Sequence, residues 1–268
     1  MEREVDYMKI VTLLENKATG EMVAKHGLSL YIETTRHKIL FDTGPDNTAF
    51  ENSEKLGIDL SQVDIVILSH GHMDHGGGLS HFLEINETAK IYVQSKAFEK
   101  HYAKSFFRKK EIGIDFRLKT HPQVILVDGD YEIDEELKLF TVQDTTKCYS
   151  DANKILYTEV GRDTFEHEQN LLILGDEPTL IMGCGHTGIV NILEKAAPHK
   201  PQICVGGYHL WNPIKKKTVS TKLLEAIATE LNKYDVRYYT CHCTGQEAYD
   251  YISERVPNMN YLACGETL

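Results

Sequence analysis

The chain of 268 residues lacks any apolar run near the roughly 18 residues that a membrane-spanning helix needs. Its opening, MEREVDYMKIV, lacks the basic-then-apolar layout of a secretory leader, so a cytoplasmic protein with no membrane partner is expected. Cysteine is scarce: six in this length are too few for a disulfide framework, and a reducing compartment suits them. Positive charge is also short. Lys and Arg number 29 against 40 Asp and Glu, and the net charge of −11 repels a phosphate backbone, so no nucleic-acid partner is expected. The basic runs Arg108-Lys109-Lys110 and Lys215-Lys216-Lys217 read as solvated faces. No Gly-, Ser- or Pro-rich linker, low-complexity segment or short-period repeat divides the chain, which suggests one compact domain over 1–268. A G-x-S-x-G elbow, a Walker lysine loop and a G-x-G-x-x-G turn are all missing, which removes the common serine-nucleophile and nucleotide-binding readings.

What is present reads as two β-rich halves with helices in each. Strands are expected at Met8 to Leu14, Leu28 to Glu33 and Lys38 to Phe41, opening like an antiparallel meander, with a helix from Asn47 to Leu56. Asp64 to Leu68 is a continuous apolar strand that runs into a histidine cluster, and Leu79, Phe82 and Leu83 then recur at helical spacing. A strand at Lys90 to Val93 precedes a Lys- and aromatic-rich stretch, 95–120, that reads as a helix and a loop, either a lid or a plain amphipathic surface helix. Strands follow at Val124 to Val127, Leu137 to Val142, Ile155 to Val160, Asn170 to Leu174 and Thr179 to Met182. From Ile189 the texture alternates: helix to Ala197, strand Gln202 to Val205, helix Thr218 to Leu231, strand Arg237 to Thr240, helix Glu247 to Glu254. Two sheets packed face to face with helices outside satisfy this order, an α+β sandwich.

His70-Gly71-His72-Met73-Asp74-His75 places four metal-competent side chains in six residues. In an extended segment residues two apart project to one side, so His70 and His72 can converge on one ion while Asp74 and His75 turn towards another. The mixed nitrogen and oxygen set suits zinc, manganese or iron better than calcium. Gly76-Gly77-Gly78 then allows a tight turn and close backbone approach.

This run after a buried strand resembles the metallo-β-lactamase superfamily. The resemblance implies a four-layer αβ/βα sandwich with two divalent ions, zinc or else manganese or iron, at the sheet ends. Phe41-Asp42-Thr43-Gly44 matches the family's early Asp motif, where the Asp supports the metal loop without being a ligand. Later ligands are matched best by His186 in Gly-Cys-Gly-His-Thr-Gly and His242 in Cys-His-Cys-Thr-Gly. By this analogy His70, His72 and a later His hold one ion, and Asp74, His75 and His242 the other. For the later His, His186 competes with His167; His186 is favoured because glycines surround it, whereas His167 on a polar turn reads as surface. Gly183-Cys184 stands where many relatives carry a bridging Asp, so Cys184 as a thiolate ligand stays open.

The Gly-Cys-x-His, Gly-Gly-x-His-Leu and His-Cys-Thr-Gly patterns together resemble the branch related to the dihydropterin-linked ribofuranosylaminobenzene 5'-phosphate synthase. Two such ions lower the pKa of shared water and clamp developing charge. The implied activity is hydrolysis, by metal-bound hydroxide, of a small ester, phosphodiester, thioester or lactone, with Asp74 orienting the nucleophile and His209 serving as a substrate or proton-transfer group. A transferase acting on a pterin or ribosyl phosphate is the alternative, and a di-iron redox module the third. The partner in each case is a small molecule; the oligomeric state is not indicated.

Overall fold

Short runs of Ile, Val and Leu bounded by turn residues become strands wherever a pleated surface can be buried on them. The computed structural model of the protein describes residues 8–105 and 108–268. The first part of the chain forms β1 (Met8–Leu14), β2 (Ser29–Thr34), β3 (Lys38–Phe41), α1 (Thr48–Lys55), β4 (Ile65–Ile67), α2 (Met73–Gly76), α3 (Leu79–Ile85), β5 (Lys90–Gln94), β6 (Tyr102–Ser105), β7 (Arg108–Glu111) and β8 (Val124–Val127). There follow β9 (Tyr131–Glu132), β10 (Leu137–Phe140), β11 (Leu156–Tyr157), β12 (Asn170–Ile173), β13 (Thr179–Ile181), α4 (Ile189–Ala196), β14 (Ile203–Gly206), β15 (Trp211–Asn212) and β16 (Lys217–Thr218). The chain ends with α5 (Thr221–Leu231), β17 (Arg237–Thr240), α6 (Gln246–Ser253) and β18 (Met259–Tyr261).

Two compact units divide these elements. The first takes the described residues up to Phe98, Ile114–Asp128 and Ala263–Leu268; the second takes those of Glu99–Gly113 and Gly129–Leu262.

In the first unit a six-stranded sheet runs β1-β2-β3-β4-β5-β8, antiparallel through β3 and parallel from β3 onward. Register aligns Leu40, Val66, Ile91 and Val124 in one row across four strands. That row packs with Phe50 of α1 and with Leu79 and Phe82 of α3. The last residues return to this unit, where Ile10 and Leu268 exchange backbone hydrogen bonds.

The second unit holds a seven-stranded sheet in the order β18-β17-β14-β13-β12-β10-β9. Its parallel part is β13, β14, β17 and β18, and one row reads Leu172, Leu180, Cys204, Tyr238 and Met259. Helices α4, α5 and α6 cover that row through Ile192, Leu193, Ile227, Leu231 and Ile252. Each unit is thus a mixed sheet with helices on a face, and each has parallel strands ending in loops, where ligand sites in α/β sheets form.

Three expectations are corrected. Among the described residues 95–120 contains no α-helix: two 3-10 turns, Ser95–Phe98 and Phe116–Thr120, flank the hairpin β6–β7. Alternation won there, because Lys109 lies 3.4 Å over the Tyr102 ring and Lys104 lies 3.7 Å over Tyr157 of β11, pairs that need extended strands. The strand expected over Ile155 to Val160 shrinks to β11, since Thr158 donates to the Gly161 carbonyl and turns the chain. The long helix begins at Thr221 instead of Thr218, because Ser220 caps it and Thr218 pairs with Trp211.

Candidate metal centre

In the first unit β4 delivers its apolar run to Ser69 and His70, beside the end of β3, where Asp42 sits. Asp42 is fully buried with φ 59°, a left-handed conformation that Asp and Asn tolerate best among side chains. Its Oδ1 accepts the Ser69 backbone N–H at 2.7 Å; its Oδ2 accepts the Ser69 hydroxyl at 2.7 Å and His75 Nδ1–H at 2.6 Å. Because the single hydroxyl proton of Ser69 is directed to Asp42, Ser69 Oγ must accept from His70 Nδ1, 2.8 Å away. Both imidazoles therefore carry their proton on Nδ1 and present the lone pair on Nε2, the tautomer a cation needs.

His72, extended at the N-cap of α2, brings its ring to 4.5 Å from that of His70, which is 4.1 Å from that of His75. All three are buried. Asp74, one-quarter exposed, has Oδ2 3.2 Å from His26 Nε2 and 3.9 Å from His75 Nε2. Backbone bonds clamp this loop from Leu28 N to Asp74 O and from Thr43 N to His75 O. Gly77 permits the clamp: a Cβ there would stand 2.3 Å from the Pro45 carbonyl oxygen and 2.6 Å from that of Met73.

In the second unit the carboxyl ends of three neighbouring parallel strands supply the other expected residues: His186 after β13, His209 after β14 and His242 after β17. His186 Nδ1 lies 2.9 Å from Asn153 Oδ1, while Asn153 Nδ2 donates to the His186 carbonyl at 2.8 Å; this again fixes the ring proton on Nδ1. Phe165 stacks on the His186 ring at 4.4 Å and 2°. Glu168 accepts the His186 N–H at 2.6 Å and both the N–H and hydroxyl of Thr187; burial pushes its carboxyl above the usual range. His209 is buried with φ 47°, its ring 4.2 Å from that of His186 and both ring nitrogens outside any hydrogen bond among the described residues. A ring nitrogen of His209 and the thiols of Cys184 and Cys243 all lie within 4.8 Å of one another. Burial works to raise the Cys243 thiol, but its contacts with Cys184 and His209 and the nearby His242 outweigh this and hold it well below the usual value. His242 is buried at φ 49°.

The surface reading of His167 is wrong. Its side chain is buried, with Nε2 3.2 Å from Asp163 Oδ2, and His101 Nδ1 meets the same oxygen at 3.0 Å. A polar sequence, Asp163-Thr-Phe-Glu-His-Glu, folds inward because Phe165 at φ 58° and Glu168 both turn to His186. Desolvation opposes the charge on Asp163, but the two imidazoles overcome it and hold the carboxyl far below its usual range; burial lowers His167. Sequence reasoning also missed Ser69, Asn153 and His101, none of which has a motif to mark it.

The donor set fits a divalent cation. Within each unit it offers buried imidazoles whose tautomer is fixed by an oxygen behind the ring, with a carboxylate or thiols nearby.

Residues 23–193 match the family model described as the metallo-beta-lactamase superfamily. The 7,8-dihydropterin-6-methyl-4-(beta-D-ribofuranosyl)-aminobenzene-5'-phosphate synthase of Methanocaldococcus jannaschii is 30% identical, over 94% of this chain and 92% of that protein. An uncharacterised protein of the same organism is 28% identical, over 91% and 94%. A crystal structure described as a metal-dependent hydrolase of the beta-lactamase superfamily superposes with a TM-score of 0.82 at 26% identity, covering 98% of each chain. The isothiocyanate hydrolase from Delia radicum gut bacteria gives 0.59 at 14% identity, over 98% of each chain, a likeness of fold alone.

Proposed function

The chain belongs to the metallo-beta-lactamase superfamily, and from that premise we propose that it is a metal-dependent hydrolase of a small ester, phosphodiester, thioester or lactone. The observation that carries the reading is the buried trio His70, His72 and His75, two of whose rings are oriented from behind by Ser69 and Asp42. Such fixed, desolvated imidazoles have no evident use in a plain core, where an apolar side chain would cost less to bury. We assign as ligands of two divalent cations His70, His72, Asp74 and His75 of the first unit and His186 and His242 of the second. Zinc fits the imidazole and carboxylate donors, as manganese and iron do. A pair of cations there would supply an activated water and charge stabilisation at neutral pH.

The protein's own residues do the rest. Asp42 and Ser69 keep the ring protons of His75 and His70 on Nδ1, and Asn153 does the same for His186. Asp74 orients the attacking water through its carboxylate. His209 is buried beside His186 with no hydrogen bond to its ring nitrogens among the described residues, so it is suited to pass a proton to the leaving group or to receive a substrate oxygen.

The 30% identity to a synthase favours a second reading, transfer to a pterin or ribosyl phosphate acceptor in place of water. The test is turnover of freshly purified protein on generic phosphodiesters, thioesters and lactones, before and after chelation, with and without added dihydropterin and phosphoribosyl compounds. Hydrolysis that chelation abolishes and zinc restores supports the first reading; turnover only with an acceptor supports the second. His72→Ala and Asp74→Ala should lose metal and turnover together, and a variant that keeps both overturns the assignment.

A further inference from the structure

The second unit contains a set of metal-competent side chains that the proposed hydrolytic site does not use. His101, just before β6, meets Asp163 and His167 from the loop before β12. Asp163 Oδ2 is 3.0 Å from His101 Nδ1 and 3.2 Å from His167 Nε2, and one ligand atom from each residue falls within 4.8 Å of the others. The imidazole rings are tilted at a centroid separation of 4.0 Å. All three residues are buried, and the Asp163 and His101 side chains are 2% and 1% exposed.

Two features point beyond a hydrogen-bonded core cluster. The first is charge: a carboxylate buried this far needs a cation beside it, and among the described residues the ion pairs of Asp163 run to the two imidazoles and to no Lys or Arg. The second is spacing. Donors on a tetrahedral ion bound at ~2.0–2.1 Å stand about 3.3 Å apart, near the two separations here. Two imidazoles and one carboxylate form a donor set that borderline divalent ions accept and that leaves a position for water.

We propose that His101, Asp163 and His167 bind a divalent cation of the zinc type within the second unit, through three residues that the hydrolytic assignment leaves out. Each imidazole binds through the nitrogen that faces Asp163, with its proton on the other ring nitrogen, so the cation compensates the carboxylate without net proton loss. Bound there, it ties the start of β6 to the loop that carries Phe165 and Glu168, the two residues that hold His186. The assignment stands on these three residues and does not require the hydrolytic reading.

The test is metal stoichiometry on the full chain, stripped with a chelator, loaded with zinc, desalted and assayed for zinc per protein. Wild type should hold one equivalent more than His101→Asn or His167→Asn, each checked for native circular dichroism. A His70→Ala/Asp74→Asn variant should still bind the equivalent that His101→Asn removes; if it binds as much as wild type, the hydrolytic assignment fails while this one stands. Equal stoichiometry in wild type and both single variants overturns the proposal. Should the single variants not fold, cobalt titration of the His70→Ala/Asp74→Asn variant decides: no bound cobalt overturns the proposal, and one equivalent with its own visible bands supports it.

Discussion

Replacing Asp42 with Asn separates the chemistry of the metal loop from its packing. The substitution is nearly isosteric, and Asn tolerates the left-handed backbone at φ 59° about as well as Asp, so the local fold is expected to survive. Asn Oδ1 still accepts the Ser69 N–H, but an amide NH2 now faces the Ser69 hydroxyl and His75 Nδ1, the two groups that donate to Oδ2. To avoid two donors facing each other, His75 must move its proton to Nε2 and Ser69 must turn its hydroxyl away, which disturbs His70 through the 2.8 Å contact. Both rings then present N–H where a cation requires a lone pair. Losing such a supporting partner weakens metal affinity by about 10–100-fold, or roughly 1.4–2.7 kcal/mol. Competition with a zinc chelator measures it, with circular dichroism as the control for folding. Unchanged zinc affinity in a folded Asp42→Asn protein would refute the tautomer argument. Asp42→Ala should be worse, because it adds about 1–2 kcal/mol of left-handed strain to the lost acceptors.

Asn153→Ala removes both contacts to His186 and should lower zinc retention about tenfold, read by the same competition; an unaltered value would mean that His186 orients itself. Gly77→Ala forces a methyl against two carbonyl oxygens at 2.3 and 2.6 Å and should cost at least ~1–3 kcal/mol in thermal or denaturant unfolding, whereas Gly20→Ala, with open space around it, should cost mainly its backbone strain at φ 58°. Burial pushes the Cys264 thiol up to about 11 from an ordinary 9.0, so in the native protein it should alkylate slowly at about pH 8, the rate climbing about tenfold per pH unit; peptide mapping by mass spectrometry checks this. The same thiol keeps its proton longer when folded than when unfolded, so its contribution to stability is intact below 9.0 and is lost as pH rises towards about 11.

Much of the scaffold was legible because it rests on local pattern. The runs Met8–Leu14, Lys38–Phe41, Val124–Val127 and Arg237–Thr240 form strands over the residues expected. The helix at Ile189 starts where its apolar repeat starts. The histidine run stood out for a similar reason, four donors in six residues directly after an apolar strand, and the structure buries His70, His72 and His75. Where two local signals competed, pattern failed. The stretch after Ser95 has helical composition, yet its aromatic and Lys side chains pair across extended strands.

By itself the sequence determined which side chains carry metal-competent donor atoms and where glycine allows a tight turn, since donor chemistry and steric allowance belong to single residues. Only the tertiary structure decided what stands behind each imidazole. Ser69 and Asp42 are 27 positions apart, Asn153 and His186 are 33 apart, and His101 and Asp163 are 62 apart. Tautomer, burial and charge compensation follow from such pairings, and a pairing between distant positions leaves no periodicity for one sequence to display. His167 marks the boundary: its neighbours in the chain are polar, but its neighbours in space bury it against a carboxylate.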